Sequence, residues 1–454
     1  MSALLASPAP RLPSRPTLAS HQAIRVAIVL WLALATAAAV RTLLRPADHT
    51  VFPIFATAAS HWWNDEPLYR DYKPLDYFRY PPFCALSSGP FAAAGWRGGG
   101  VLWIWLGLGV YATGLWRFRQ ALLPADWSAA REVCYYALAT AGAVAGVWNG
   151  QNNALVTGLL LLAAAALARG QTWHAAGWLA AAINLKLTPL PAALLLCAVF
   201  PRRLAGRLVV AVAAIGLVPF LTRPPYIVLQ HYGEFVAQQG TLANQRWPGF
   251  RDAWTAWQVV QHALASDSGP IPLTADMNSP SYRALQAATA GICLFWCLAQ
   301  RLSGISRGQV ILRTLSIGAG WLMLFGPAVE SPTYVFLAPF LAAMAVDRNV
   351  RPESRGLAVG ACALILSFGF GAISLRLTAW FPPVLVALPL GTALYAIGLA
   401  LAYPPRLTSI GSAATRGTPV ASLPFEGEGE IRSQPFEGQV DPEHSERFEE
   451  AGVG

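Results

Sequence analysis

The chain has 454 residues, 55% of them hydrophobic and only 12% charged, with a formal net charge of +9. The apolar residues come in blocks of roughly fifteen to twenty rather than in alternation, which excludes a soluble globular enzyme and describes a polytopic membrane protein. The positive charge is arginine gathered at the ends of apolar blocks, where it sets topology, so nucleic acid is excluded as a partner; six cysteines without a CxxC pair offer neither a disulfide framework nor a thiolate metal site.

Residues 1–23 read as a cytoplasmic segment, and Ile24 to Leu44 as a retained first span, because no A-x-A-like cleavage site follows it. Asp48 comes directly after, in "RPADHTVFPIF". A carboxylate at the membrane boundary is placed to take a proton from a substrate hydroxyl; an interfacial carboxylate or helix cap is the plainer alternative. The following loop carries Trp62, Trp63, Tyr69, Tyr72, Tyr77, Phe78 and Tyr80, a density that suits the lipid headgroup belt and equally suits stacking on a sugar ring. "PPFCALSSGPFAAAG", from Pro81 to Gly95, is short and led by two prolines. It reads as a juxtamembrane or re-entrant piece, with a thirteenth crossing as the alternative.

Eleven further spans are predicted at 100–117, 133–148, 152–168, 175–186, 188–200, 206–222, 283–300, 308–326, 333–346, 356–374 and 379–402, making twelve. "VLWIWLGLGVYATGLW" and "LVTGLLLLAAAALA" are apolar on every face, so lipid rather than a protein core is taken as their solvent. Placing the basic loops (Arg117, Arg119 and Arg131; Arg169; Arg202, Arg203 and Arg207; Arg301 and Arg307; Arg348, Arg351 and Arg355) in the cytoplasm puts both termini inside. Residues 24–402 are then a transmembrane domain with external loops at 45–99 and 223–282. The "NGQNN" turn (Asn149 to Asn153), Lys186, Glu330 and Arg376 emerge on the same outer side. From residue 403 the chain turns polar, with a "PFEG" repeat at Pro424 and Pro435, and 403–454 is expected to be a disordered acidic cytoplasmic tail.

The chain has two lysines against thirty arginines, and one of them, Lys186, stands inside the apolar run "AAAINLKLTPLPAALLL". An ammonium there is expensive unless it snorkels, pairs or serves a function. Pro189 just beyond it predicts a broken helix whose end opens into a cavity, where a point positive charge suits a lipid-linked phosphate. The amides of Gln151, Asn152 and Asn153 can bind sugar hydroxyls or phosphate oxygens, or can cap the next helix. In "NQRWPGFRDAW", Arg246 and Arg251 among aromatics suit phosphate or sugar, and an Arg–Asp pair that merely folds the loop is the alternative. Glu330, in "GPAVESPTY", is either a partner for a cation within the bundle or an acceptor for a sugar hydroxyl. There is no GxxxxGK[ST], HExxH or GxSxG, so nucleotide hydrolysis, zinc proteolysis and serine hydrolysis lack their apparatus.

In this order Asp48, "YPPF", "NGQNN", "AGWLAAAINLKLTP" and "ESPTY" resemble glycosyltransferase family 87, once grouped as domain of unknown function 2029 and similar to mycobacterial polyprenol-phosphate-mannose-dependent mannosyltransferases. The resemblance spans roughly Ile24 to Leu401. It implies an all-α GT-C bundle of about 12 (12–13) transmembrane helices with external juxtamembrane helices, in a bacterial cell membrane, its active site facing outside. It implies inverting transfer of a hexose, mannose above all, from a polyprenyl-phosphate donor to a lipid or glycan acceptor, without metal or other cofactor. Asp48 takes the role of general base, and Lys186 with Arg246 and Arg251 that of donor-phosphate contacts. His49, Tyr80, Gln151, Asn152, Asn153, Asn184, Glu330 and Tyr334 are the candidate sugar and acceptor contacts. Where the family often has Trp or His after a late Ser-Pro, this sequence has "SPTY". A transporter or flippase with Lys186 and Glu330 as binding charges is the alternative, and a lipid-linked glycan polymerase or ligase a weaker third; no internal repeat of spans supports the transporter.

Overall fold

A computed structural model describes residues 18–47, 50–242, 252–253, 279–326, 329–369 and 387–404. It is almost entirely helical. In chain order the helices are α1 (Leu18–Leu44), α2 (Phe52–Trp63), α3 (Pro82–Ala92), α4 (Gly95–Leu122), α5 (Ala129–Trp148), α6 (Asn153–Ala168), α7 (Thr172–Leu185), α8 (Leu190–Val199), α9 (Gly206–Leu217), α10 (Pro225–Leu242), α11 (Pro280–Leu302), α12 (Arg307–Phe325), α13 (Ala338–Val346), α14 (Pro352–Gly369) and α15 (Ala387–Ala402). Among the described residues the one sheet is a two-residue ladder, β1 (Asp252–Ala253) antiparallel to β2 (Val329–Glu330), with Asp252 opposite Glu330. A 3₁₀ turn, Ser331–Phe336, leads from β2 into α13.

Four described segments are long and apolar enough to cross a membrane: His21–Leu44, Gly95–Leu122, Pro201–Leu221 and Arg307–Phe325. Three shorter apolar helices, Asn153–Ala168, Leu190–Val199 and Ala387–Ala402, accompany them among the described residues, and the expected number of twelve is not established by these segments. At 1.5 Å per residue, α7, α8 and α13, with 14, 10 and 9 residues, reach only about 14 to 21 Å against a hydrocarbon core of about 30 Å. The eleven residues of α3 are likewise too few for a crossing, in keeping with a juxtamembrane or re-entrant piece. Residues 370–386, which belong to the last two predicted spans, and the tail from 405 lie outside the described residues, as does Arg376.

The apolar character of α6 has a different cause from the one expected. Fourteen of its sixteen residues are buried within the protein, so its solvent is the bundle and not lipid. It packs on α4, α7, α12 and the 3₁₀ turn. Its approach to α4 is made possible by two glycines: a Cβ on Gly114 would fall 2.5 Å from the Gly158 carbonyl oxygen, and one on Gly158 would fall 2.6 Å from the Tyr111 backbone nitrogen. Small residues let helix backbones meet where lipid offers no hydrophobic drive to association.

The aromatic loop is a packed layer. Trp62, Tyr72 and Phe78 are buried, which corrects the reading of those three rings as a headgroup belt or sugar platform; Trp63 is half exposed, and Tyr69, Tyr77 and Tyr80 are partly exposed. Trp62 donates to Thr222 Oγ1 at 3.2 Å and packs against His231, while Arg223 pairs with Asp65 at 2.8 Å. Arg119, expected in a basic loop, is also buried. Its guanidinium lies over the Trp127 ring and pairs with Glu132, closing the turn from α4 to α5.

Candidate active site

The turn between α5 and α6 is made by local chemistry. Gly150 adopts a φ of +63, a conformation L side chains rarely take, and the Gln151 N–H reaches back to Gly146 O at 3.0 Å while Gly150 N–H reaches Val147 O at 3.1 Å. This is the Schellman ending of a helix, and it aims Gln151, Asn152 and Asn153 away from α5 at the start of α6. The three amides do not cap α6, as one reading of the sequence had it: no side-chain cap bond is present there. Each is spent elsewhere.

The break between α7 and α8 falls where proline and charge predict it. Helix α7 stops at Leu185, Lys186 is extended (φ −162, ψ 137), and Pro189 opens α8. The two features meet. Lys186 Nζ donates to Asn153 Oδ1 at 2.6 Å, Asn153 Nδ2 donates to Gln151 Oε1 at 2.6 Å and to Pro332 O at 3.1 Å, and Gln151 Nε2 donates to Glu330 Oε2 at 3.2 Å. Asn152 Nδ2 donates to Leu185 O at 3.2 Å, tying the first turn of α6 to the residue before the lysine. Asn152 and Asn153 are fully buried, whereas Gln151, Lys186, Glu330 and Tyr80 are partly exposed.

The Tyr80 ring lies 5.6 Å from Lys186 Nζ, and edge-on packing against Phe55 holds that ring in place. The lysine is within electrostatic reach of Glu330, Cys84 and Arg79. Among the described residues no carboxylate stands at ion-pair distance from it, and one of its three N–H donors is spent. A partly buried ammonium with donors to spare among the described residues, beside an aromatic ring at a helix break, can hold an anion.

The loop that carries Asp48 is anchored to this turn at its far end, through Val51, and is bridged within itself between Thr50 and Pro46. Val51 N–H donates to Asn149 O at 2.8 Å, and Thr50 Oγ1 donates to Pro46 O at 2.7 Å. Asp48, His49, Arg246 and Arg251 themselves lie outside the described residues. Two expected residues stand apart from the cluster. Asn184 donates to Ala180 O at 3.0 Å and Val212 O at 3.3 Å, joining α7 to α9, and buried Tyr334 borders a small apolar cavity with Leu138, Ala338 and Cys362. Sequence reasoning passed over Arg79, although its position in "RYPPF", directly before Tyr80, was the available signal; it pairs with Asp76 at 2.9 Å and adds a second positive charge near Lys186. Among the described residues no group of three His, Cys, Asp or Glu side chains is gathered to hold a metal ion.

The model of glycosyltransferase family 87 matches residues 78–327, more than half of the chain. No curated protein matches. Among solved structures the chain is similar to ArnT from Cupriavidus metallidurans in the apo state, at 16% identity and a TM-score of 0.41 over 84% of this chain and 77% of that one. It is similar also to the same protein bound to undecaprenyl phosphate, at 14% identity and a TM-score of 0.38 over 84% and 75%.

Proposed function

The chain belongs to glycosyltransferase family 87, and from that premise we propose that this membrane protein moves a hexose, mannose in our reading, from a polyprenyl-phosphate donor to a lipid or glycan acceptor at the outer face of a bacterial cell membrane. The observation that carries the reading is Lys186, a cation held at a helix break that spends one N–H donor, on Asn153, among the described residues. Its ammonium grips the donor phosphate and stabilises it as the leaving group. Arg79, and the arginines at 246 and 251, add positive charge for the same anion.

Asp48 is the general base. It takes the proton from the acceptor hydroxyl as that oxygen attacks the anomeric carbon from the face opposite the phosphate; the new glycosidic bond forms as the bond to phosphate oxygen breaks, with inversion. The reading is supported by the Val51–Asn149 bond, which ties the Asp48 loop to the turn next to Lys186. Partly exposed Tyr80 borders the sugar. Membership of the family sets the transporter alternative aside.

The test is transfer by purified protein offered a panel of polyprenyl-phosphate hexoses and pentoses, with Asp48→Asn as the control. Transfer from the mannose donor that vanishes in Asp48→Asn, with thermal unfolding unchanged, is the expected outcome. Substantial turnover by Asp48→Asn removes the aspartate from its role, and activity with pentose donors alone removes the hexose. Reporter fusions after Trp127 and Asn152 are expected to read inside and outside respectively; the reverse pattern overturns the outward-facing site.

A further inference from the structure

We propose that Glu330, Gln151 and Asn153 form a polarised amide relay that orients Lys186, and that they are positioning residues rather than a subsite for sugar. The inference rests on the donor-phosphate reading of Lys186.

The polarity of the relay is forced at every link by groups that can play one part only. The Glu330 carboxylate accepts and cannot donate, so Gln151 must turn its Nε2 toward it, as observed at 3.2 Å. That leaves Gln151 Oε1 facing Asn153. Oε1 and Pro332 O are both acceptors, so Asn153 must present Nδ2 to the pair, at 2.6 and 3.1 Å. Its Oδ1 is then left for the one group that can only donate, the ammonium of Lys186, at 2.6 Å. Flipping either amide would set acceptor against acceptor at one end and donor against donor at the other. A carboxylate thus dictates, through two neutral amides, which atom the lysine meets.

At Asn153, the middle of the relay, burial decides between positioning and recognition. Asn153 is fully buried, both Nδ2 hydrogens are engaged and its Oδ1 accepts from Lys186, so no exposed face of this amide meets a sugar hydroxyl. Asn152 holds the Leu185 carbonyl at 3.2 Å, so the lysine is steadied through its backbone as well as its tip. Two amides in place of a direct contact keep the Glu330 carboxylate off the ammonium. An incoming phosphate meets a cation whose remaining N–H groups need not first be pulled from an ion pair.

The relay can be reversed on paper without loss of hydrogen bonds along it. In Asn153→Asp/Glu330→Gln the new carboxylate at 153 accepts from Lys186 and from a turned Gln151 Nε2, while Gln151 Oε1 accepts from the new amide at 330. Only the bond to Pro332 O is given up, and the lysine is now neutralised by a direct ion pair. The purified full chain is assayed with donor and acceptor varied separately, with the corresponding polyprenyl phosphate as inhibitor, and by thermal unfolding. The expected result is a double variant that unfolds close to wild type, with donor KM and the polyprenyl-phosphate inhibition constant raised about tenfold or more and acceptor KM unchanged. A purely structural role would move the unfolding temperature and leave that split alone. If Lys186→Ala loses donor binding while the double variant binds donor as wild type does, the relay is refuted and the phosphate reading stands. If Lys186→Ala binds donor normally, the phosphate reading falls and the relay's role with it. Should the double variant not fold, Glu330→Gln alone decides: a raised donor KM at unchanged acceptor KM supports the relay, and an unchanged donor KM overturns it.

Discussion

Replacing Lys186 by glutamine separates its charge from its hydrogen bond. The wild-type ammonium gives one N–H to Asn153 Oδ1 at 2.6 Å, and a glutamine amide can still supply that donor, so the buried asparagine keeps a partner. What is lost is the positive charge and the donors directed at the anion. A hydrogen bond to a charged partner contributes about 1.5–3 kcal/mol, and at 1.4 kcal/mol per decade that is about a 10- to 150-fold fall in donor kcat/KM. The assay is steady-state transfer with donor varied at saturating acceptor, repeated with the roles exchanged; acceptor kinetics at saturating donor should be little changed. Lys186→Ala is the companion. It strands Asn153 Oδ1, a buried acceptor whose loss of partner costs about 1–3 kcal/mol, so it should unfold at lower temperature than Lys186→Gln while losing donor binding to a similar extent. A Lys186→Gln enzyme with wild-type donor kcat/KM refutes the argument that this cation holds the donor.

Other consequences concern the frame around the site. Gly158→Ala sets a methyl 2.6 Å from the Val110 and Tyr111 backbone, so α4 and α6 must part, at a cost of about 1–3 kcal/mol seen as earlier thermal unfolding; Gly109→Ala in the same helix α4 meets open space and should gain a few tenths to about 1 kcal/mol. Arg119→Met leaves the Glu132 carboxylate, 11% exposed, without its partner and should cost about 3–5 kcal/mol, whereas Arg119→Met/Glu132→Leu should recover most of that. A double variant as unstable as the single one would refute the pairing argument. Burial, and then the Arg70 guanidinium, hold His61 below its ordinary range against the opposing pull of Glu66 and Pro67 O. The folded layer therefore favours neutral His61, a contribution present above the ordinary histidine value of about 6.5 and lost as pH falls below it. The unfolding temperature should drop between pH 7.5 and 5 by more in the wild type than in His61→Gln, and equal slopes would dismiss it.

Much of the site is legible in the sequence because its causes are local. Pro189 cannot continue a helix and Lys186 is a rare cation in an apolar run, so the break between α7 and α8 could be read directly. Two prolines and a short apolar stretch likewise marked α3 as too short to cross. Gly150 signals a left-handed turn, and an amide cluster after it announces polar business of some kind. Which business was not legible. The three amides looked alike in sequence, yet one holds a backbone carbonyl, one a lysine and one a glutamate 179 residues away. Hydrogen-bond partners are chosen by atoms that only the fold brings within 3 Å.

The same division holds for the apolar segments. Hydropathy correctly marks α6 as a helix that leaves water, because transfer out of water is a property of the side chains themselves. It cannot mark where the helix goes, since lipid tails and a protein interior are equally apolar to leucine and alanine. Composition and charge alone determined that this is a membrane protein with a lysine misplaced for any ordinary span. Only tertiary structure decided that α6 is enclosed by protein, that Trp62 and Phe78 are core rather than surface, and that Glu330 faces Lys186 through two amides, because each of these depends on which distant segments pack together.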